Sequence, residues 1–136
     1  MKLLILAGGK GTRLKSAVPD FPKVLAPINN KPFLDFQMIN WLSQGVSSFI
    51  FILHHDAAVI MDHIIAQYPE LYKKKLIEFV IEPTPLDTGG AVANAIKELN
   101  IAGKFLVTNA DTWLGSGLSD LWKSNSPSLG IVSVPN

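Results

Sequence analysis

The stretch "LLILAGGKGTRL" (residues 3–14) decides how the rest of the chain is read. Leu3, Leu4, Ile5, Leu6 and Ala7 run without a polar break into Gly8, Gly9 and Gly11, with Lys10, Thr12 and Arg13 set among and after the glycines. A short, uninterrupted apolar run is the pattern of a strand covered on both faces, as in a parallel sheet. The loop that follows is almost bare and carries two cations. Glycine lets backbone N–H groups approach an anion closely, and arginine offers a forked pair of donors to phosphoryl oxygens. Two familiar phosphate signatures fail here. A G-x-x-x-x-G-K-[ST] loop is ruled out because Gly11 follows Lys10, and G-x-G-x-x-G from Gly9 is ruled out because Leu14 stands at the third glycine. Read alone, the letters also describe a tight βα turn with solvated basic residues.

Outward from this stretch, short apolar runs recur at residues 49–53, 76–81, 104–109 and 129–134, which with 2–7 predicts five strands. Helix-period segments lie between them. Over 33–44, Leu34, Met38, Trp41 and Leu42 share a face, with Pro32 in the first turn and Gly45 at the exit. Over 57–67 the stripe is Ile60, Met61, Ile64 and Ile65, with Asp56 as cap and Pro69 beyond the end. Over 89–99 it is Val92, Ala95, Ile96 and Leu99, with Asp87 or Thr88 as cap; a weaker helix covers 118–123. Alternating strands and helices predict an α/β, Rossmann-like, three-layer, doubly wound and mainly parallel sheet. The opening loop then sits at the carboxyl end of the first strand, where such sheets bind ligands. The proline-rich segment 21–36, which carries Lys23, is read as an extended loop.

The 136 residues suit one domain with a real core and are too few for two. Hydrophobic residues make up 48% and charged residues 17%, a globular balance, and the net charge of +1 argues against nucleic acid or an anionic membrane as partner. The absence of cysteine excludes disulfides, thiolate metal sites and a cysteine nucleophile. The first apolar run is too short for a signal peptide, no run is long enough to span a bilayer, and the expected compartment is the cytoplasm. A homo-oligomer is compatible with the sequence. "LHHD" (53–56) is not read as a metal site: adjacent histidines at a strand end point in opposite directions, one packed and one solvated. "YKKKL" (72–76) reads as a solvated turn and Trp41 as packing.

The string L-A-G-G-K-G-T-R-L (6–14) followed by P-K-V-L-A-P-I-N-N-K-P-F-L (22–34) resembles the sugar-phosphate nucleotidyltransferase family, whose signature is G-G-x-G-T-R-L, then P-K, then K-P. "EPTPLDTGGAV" (82–92) and "VTNAD" (107–111) match further family pieces in the right order. "PLDTGGA" with "NKPFL" looks most like the heptose 1-phosphate and mannose 1-phosphate guanylyltransferases. The resemblance implies the nucleotide-diphospho-sugar transferase fold and transfer of a nucleotidyl group from a nucleoside triphosphate to a sugar 1-phosphate, with release of pyrophosphate. It implies catalytic roles for Arg13, Lys23 and Asp111, with Mg²⁺ held on Asp111. It implies a nucleotide-binding set of Leu6, Ala7, Gly8, Gly9, Lys10, Gly11, Thr12, Glu82, Thr88, Gly89 and Gly90. Family domains continue past this point through the strands that bind the sugar, so the chain is expected to be the nucleotide-binding portion. The sugar is therefore not identified, though Trp113, two residues past Asp111, could border its site.

Glu82 is read either as a solvated residue at a strand end or, if it points into the pocket, as the residue that sets the base. An ionised carboxylate is acceptor-only and takes both N1–H and the 2-amino group of guanine at once, a donor pair that adenine, cytosine and uracil do not offer. GTP is the expected donor substrate. The alternatives are a uridylyl- or cytidylyltransferase of the same fold, or a non-catalytic nucleotide-sugar-binding subunit. A pure binder has little need of Arg13, Lys23 and Asp111 together. A dinucleotide-binding domain is disfavoured by Leu14 and by the lack of an acidic residue closing the second long strand.

Overall fold

Four of the apolar runs pair side by side, all parallel, in the computed structural model, which describes residues 1–9 and 21–130. In chain order the elements are β1 (Lys2–Leu6), a 3-10 turn (Lys23–Leu25), β2 (Pro27–Ile28), β3 (Lys31–Pro32), α1 (Phe33–Ser43), β4 (Ser48–Leu53), α2 (Ala57–Gln67), α3 (Pro69–Lys73), β5 (Ile77–Ile81), α4 (Asp87–Glu98), β6 (Leu106–Asn109) and α5 (Leu118–Lys123). The sheet runs β5-β4-β1-β6, with Leu3 opposite both Phe49 and Leu106. The chain winds from β1 outward through β4 to β5, then returns to the far side of β1 as β6. The order reverses between β1 and β6, and a crevice opens at the carboxyl ends of the strands there.

Side chains alternate across the sheet, and both faces are dry over the central strands β1 and β4. Leu3, Ile5, Phe49 and Phe51 face a core shared with Leu34, Met38 and Trp41 of α1 and Ile60 and Ile64 of α2. Leu4, Ile50, Ile52 and Val80 face the opposite side, where α4 contributes only Ala91 and Ala95 as fully buried residues. The result is helix, sheet, helix: the expected doubly wound α/β architecture. α1 ends where Gly45 takes a positive φ of 88° and Val46 N–H donates back to Trp41 C=O at 3.0 Å, a glycine-terminated exit.

Several local expectations are corrected. The 21–36 segment is not simply extended. It holds the 3-10 turn and a two-residue hairpin, Pro27 and Ile28 against Lys31 and Pro32, closed by Asn29 and Asn30 at positive φ. Asparagine tolerates that region better than most residues, which makes such a turn possible without glycine. Pro69 opens a short extra helix, α3, and "YKKKL" supplies its last turn and the exposed turn after it. Asp56 stands at the start of α2 in a left-handed conformation and makes no side-chain cap; α4 begins at Asp87, with neither Asp87 nor Thr88 capping. Leu42 is turned outward on α1. His54 and His55 do not diverge. Their rings meet edge-on with centroids 4.4 Å apart just past the end of the strand at Leu53, and both are partly buried, not one packed and one solvated. Leu129 and Gly130 are not in a strand; the rest of that expected strand lies outside the described residues.

Candidate functional site

A cleft of about 390 Å³ opens at the reversal point, bounded by the ends of β1 and β6, the 3-10 turn and the β5–α4 connection. Leu6, Ala7, Gly8 and Gly9 form one edge, and Gly8 has a reason to be glycine. A Cβ there would lie 3.2 Å from His54 Cβ and 3.3 Å from the His54 backbone nitrogen, closer than ordinary packing allows. Gly9 is exposed beside the cleft. Lys10, Gly11, Thr12 and Arg13 lie outside the described residues.

Lys23 and Asp111 face each other across the cleft, and their side chains form an ion pair. Lys23 is set by the 3-10 turn, whose Leu25 N–H donates to Pro22 C=O at 2.8 Å and whose Val24 and Leu25 are buried in the core. Asp111 follows the point where Ala110 N–H donates to Leu6 C=O at 3.0 Å, prolonging the β1–β6 ladder. The side chains of Lys23 and Asp111 are 42% and 37% exposed. A pair so wet contributes little to stability and exchanges partners readily.

Glu82 is the opposite case. It is buried, and its Oε1 has no hydrogen-bond partner among the described residues, while Oε2 lies toward Gly8. Its backbone is held at both ends. The N–H donates to Leu53 C=O at 2.8 Å, and the C=O accepts from His54 Nδ1 at 2.7 Å. A carbonyl only accepts, so His54 Nδ1 is the donor in this bond. The strand ladder thus delivers the Glu82 carboxylate to the cleft wall. Thr88 and Asp87 also line the cleft, Asp87 with a positive φ of 58°. Gly89 and Gly90 do not: they are exposed in the first turn of α4. A Cβ at Gly90 would lie 3.0 Å from Leu86 Cβ, so this glycine lets the preceding turn close on the helix.

Of the expected site residues the cleft therefore gathers Leu6, Ala7, Gly8, Gly9, Lys23, Glu82, Thr88 and Asp111, and leaves out Gly89 and Gly90. Trp113 is half-exposed, tilted 6.5 Å from Phe33. Among the described residues no three His, Asp or Glu side chains gather into a ready cation cage. Asp111 stands at the cleft edge, paired with Lys23. Sequence reasoning missed Gln37, a buried α1 residue whose Nε2 reaches Ala110 C=O at 3.1 Å and Thr112 C=O at 2.8 Å. Its signal was a polar series, Gln37, Asn40 and Gln44, at helical spacing along and just past an apolar-rich helix.

A family model described as "Nucleotidyl transferase" matches residues 2–131. The D-glycero-alpha-D-manno-heptose 1-phosphate guanylyltransferase of Campylobacter jejuni is 37% identical over 121 residues, 89% of this chain and 52% of that protein. The mannose-1-phosphate guanyltransferase of Hypocrea jecorina is 37% identical over 115 residues, 82% of this chain and 30% of that protein. Among solved structures, HddC from Yersinia pseudotuberculosis complexed with GMP-PN superposes with a TM-score of 0.74 at 41% identity, covering 88% of this chain and 52% of that one. The chain spans about half the length, or less, of the relatives it matches.

Proposed function

The chain belongs to the nucleotidyl transferase family, and on that premise we propose that it is the nucleotide-binding part of an enzyme that transfers a guanylyl group from GTP to a sugar 1-phosphate. The observation that carries this reading is the convergence of Gly8, Gly9, Lys23 and Asp111 at the reversal point of a parallel sheet. The names of the two guanylyltransferase relatives and the GMP-PN bound to HddC support the same donor and acceptor class. The enzyme would work in the cytoplasm.

An oxygen of the sugar phosphate attacks the α-phosphorus in line. The new P–O bond forms as the bond to the β-phosphate breaks, and pyrophosphate leaves with that electron pair. The task for the protein is to bring two anions together and offset the charge that develops. The backbone at Gly8 and Gly9 lies along the phosphates. Lys23 turns from Asp111 to a phosphoryl oxygen, and Arg13 holds the triphosphate. The freed Asp111 carboxylate is a hard oxygen donor, half-exposed at the cleft edge, which fits Mg²⁺; that ion takes one or two carboxylates and fills its shell with phosphate oxygens and water. When bound it neutralises phosphoryl charge. Glu82 meets guanine. Its unpartnered Oε1 and neighbouring Oε2 accept from N1–H and the 2-amino group, ending the isolation of a buried carboxylate.

The test is pyrophosphate release by the natural full-length chain with Mg²⁺, mannose or heptose 1-phosphate, and each nucleoside triphosphate in turn. GTP should be strongly preferred. Equal use of UTP would leave the reaction class and remove the guanine assignment. No release with any pair would remove the reaction itself.

A further inference from the structure

The two carbonyls that flank Asp111 both accept from one atom. Gln37 Nε2 is 3.1 Å from Ala110 O and 2.8 Å from Thr112 O, so the amide straddles the residue between them. Thr112 N–H also leans back toward Asn109 C=O at 3.4 Å, closing a turn around the aspartate. The amide cannot be reversed: with Oε1 in place of Nε2, an acceptor would face two carbonyl oxygens. Nor is the amide there for packing. Gln37 is fully buried and its Oε1 has no partner among the described residues, a cost that an apolar side chain of the same length would avoid.

The same helix grips the loop further on. Asn40 Nδ2 donates to Leu114 C=O at 2.8 Å, Gln44 Nε2 to the same carbonyl at 2.9 Å, and Leu118 N–H to Gln44 Oε1 at 3.2 Å. At its other end, α1 is tied to the Lys23 turn through Phe33 N–H to Ala26 C=O at 3.0 Å. One rigid helix therefore references both members of the Lys23–Asp111 pair.

We infer that Gln37 is a positioning residue that fixes the Asp111 carboxylate in the orientation needed to hold the metal on the triphosphate. This rests on the reading of Asp111 given above. Residues that orient a metal-holding carboxylate from behind typically govern about 10–100-fold in metal affinity or activity.

The experiment uses the natural full-length chain and Mn²⁺·GTP as the probe, with binding followed by enhanced water-proton relaxation. The Mg²⁺ concentration for half-maximal turnover and the thermal melt are measured alongside. Gln37→Met keeps the length and removes both donors. It should melt cooperatively, bind Mn²⁺·GTP about tenfold more weakly or worse, bind metal-free GTP as the parent does, and need correspondingly more Mg²⁺. Gln37→Asn, shorter by one methylene, should fall between parent and Gln37→Met, and it decides the matter if Gln37→Met does not fold. Parental Mn²⁺·GTP binding and Mg²⁺ requirement in a folded Gln37 variant overturn the inference. Asp111→Asn separates the two layers. If it too leaves the metal requirement unchanged, the reading of Asp111 fails and takes the role of Gln37 with it. If it impairs metal use while the Gln37 variants do not, only the role of Gln37 fails.

Discussion

The two walls of the cleft carry their carboxylates in opposite states. Asp111 is half-exposed and already paired with Lys23, whereas Glu82 is buried with one oxygen unpartnered. A wet ion pair is cheap to open, so Asp111 and Lys23 suit a task in which partners are exchanged as phosphate and metal arrive. A buried, incompletely bonded carboxylate destabilises the empty protein and gains most when one complementary donor pair arrives. On the proposed reading, the first arrangement would serve chemistry and the second selection. The supports differ in kind as well. The Asp111 wall leans on α1, whose side chains reach into the loop, while the Glu82 wall is held through its own backbone, its N–H on Leu53 C=O and its C=O on the His54 ring.

The comparison breaks most severely if α1 is undermined. Trp41→Ala removes a fully buried side chain from the helix that carries one wall, and should cost about 3–5 kcal/mol by denaturant unfolding; a loss under about 1 kcal/mol would show that α1 is not the anchor described. Next come the exchanging groups. Lys23→Ala and Asp111→Asn should each lower turnover of the full-length chain by about 10²–10³-fold, with unfolding free energy moved by no more than about 1 kcal/mol. Near-parental turnover in both would dissolve the functional contrast. Glu82→Gln sharpens it from the other side: preference for GTP should fall by about tenfold or more, while stability should rise by about 1 kcal/mol because an unpartnered charge is gone. A less stable Glu82→Gln protein would mean that the carboxylate is satisfied after all.

The smallest effect concerns Tyr68, at the join of α2 and α3. Burial, with the nearby Asp35 carboxylate adding to it, pushes its phenol up to about 12. A folded value above the unfolded one near 10 means that the folded state holds the proton longer. Its stabilising contribution is whole below about pH 10 and is lost as pH rises toward 12. A stability-against-pH curve of Tyr68→Phe should be flatter than the parent's over that interval, and identical slopes would refute the assignment.

The sheet was legible because its two central strands, β1 and β4, are buried on both faces and read as apolar runs, and the flanking runs are apolar enough to follow them; the ends of the outer pair moved, β5 starting at Ile77 and β6 at Leu106. The hairpin at Asn29 and Asn30 was not, since prolines on both sides hide a strand pair two residues long. α3 was masked by the lysine run that begins at its last residue, Lys73. At the site, Lys23, Glu82 and Asp111 carried recognisable surroundings, so their meeting in one cleft could be anticipated from the family resemblance. The absence of Gly89 and Gly90 from the cleft could not, because it depends on where the first turn of α4 begins. Gln37 escaped because sequence periodicity asks which residues are apolar and has no term for a buried amide bonded to a loop more than seventy residues away.

The position of β6 has a kinetic consequence. β1, α1, β4 and β5 contact one another in the order in which they are synthesised, whereas β6 must come back across the whole sheet to lie beside β1. Loop-closure entropy penalises that last pairing most, so the transition state should be structured around β1 and β4 and unformed at β6. Substitutions such as Val107→Ala should then speed unfolding and leave the folding rate almost untouched, while Ile50→Val should slow folding. Asp111 rides at the end of β6. Lys23 would therefore meet its partner across 88 residues only in the final step, after nearly everything else has set.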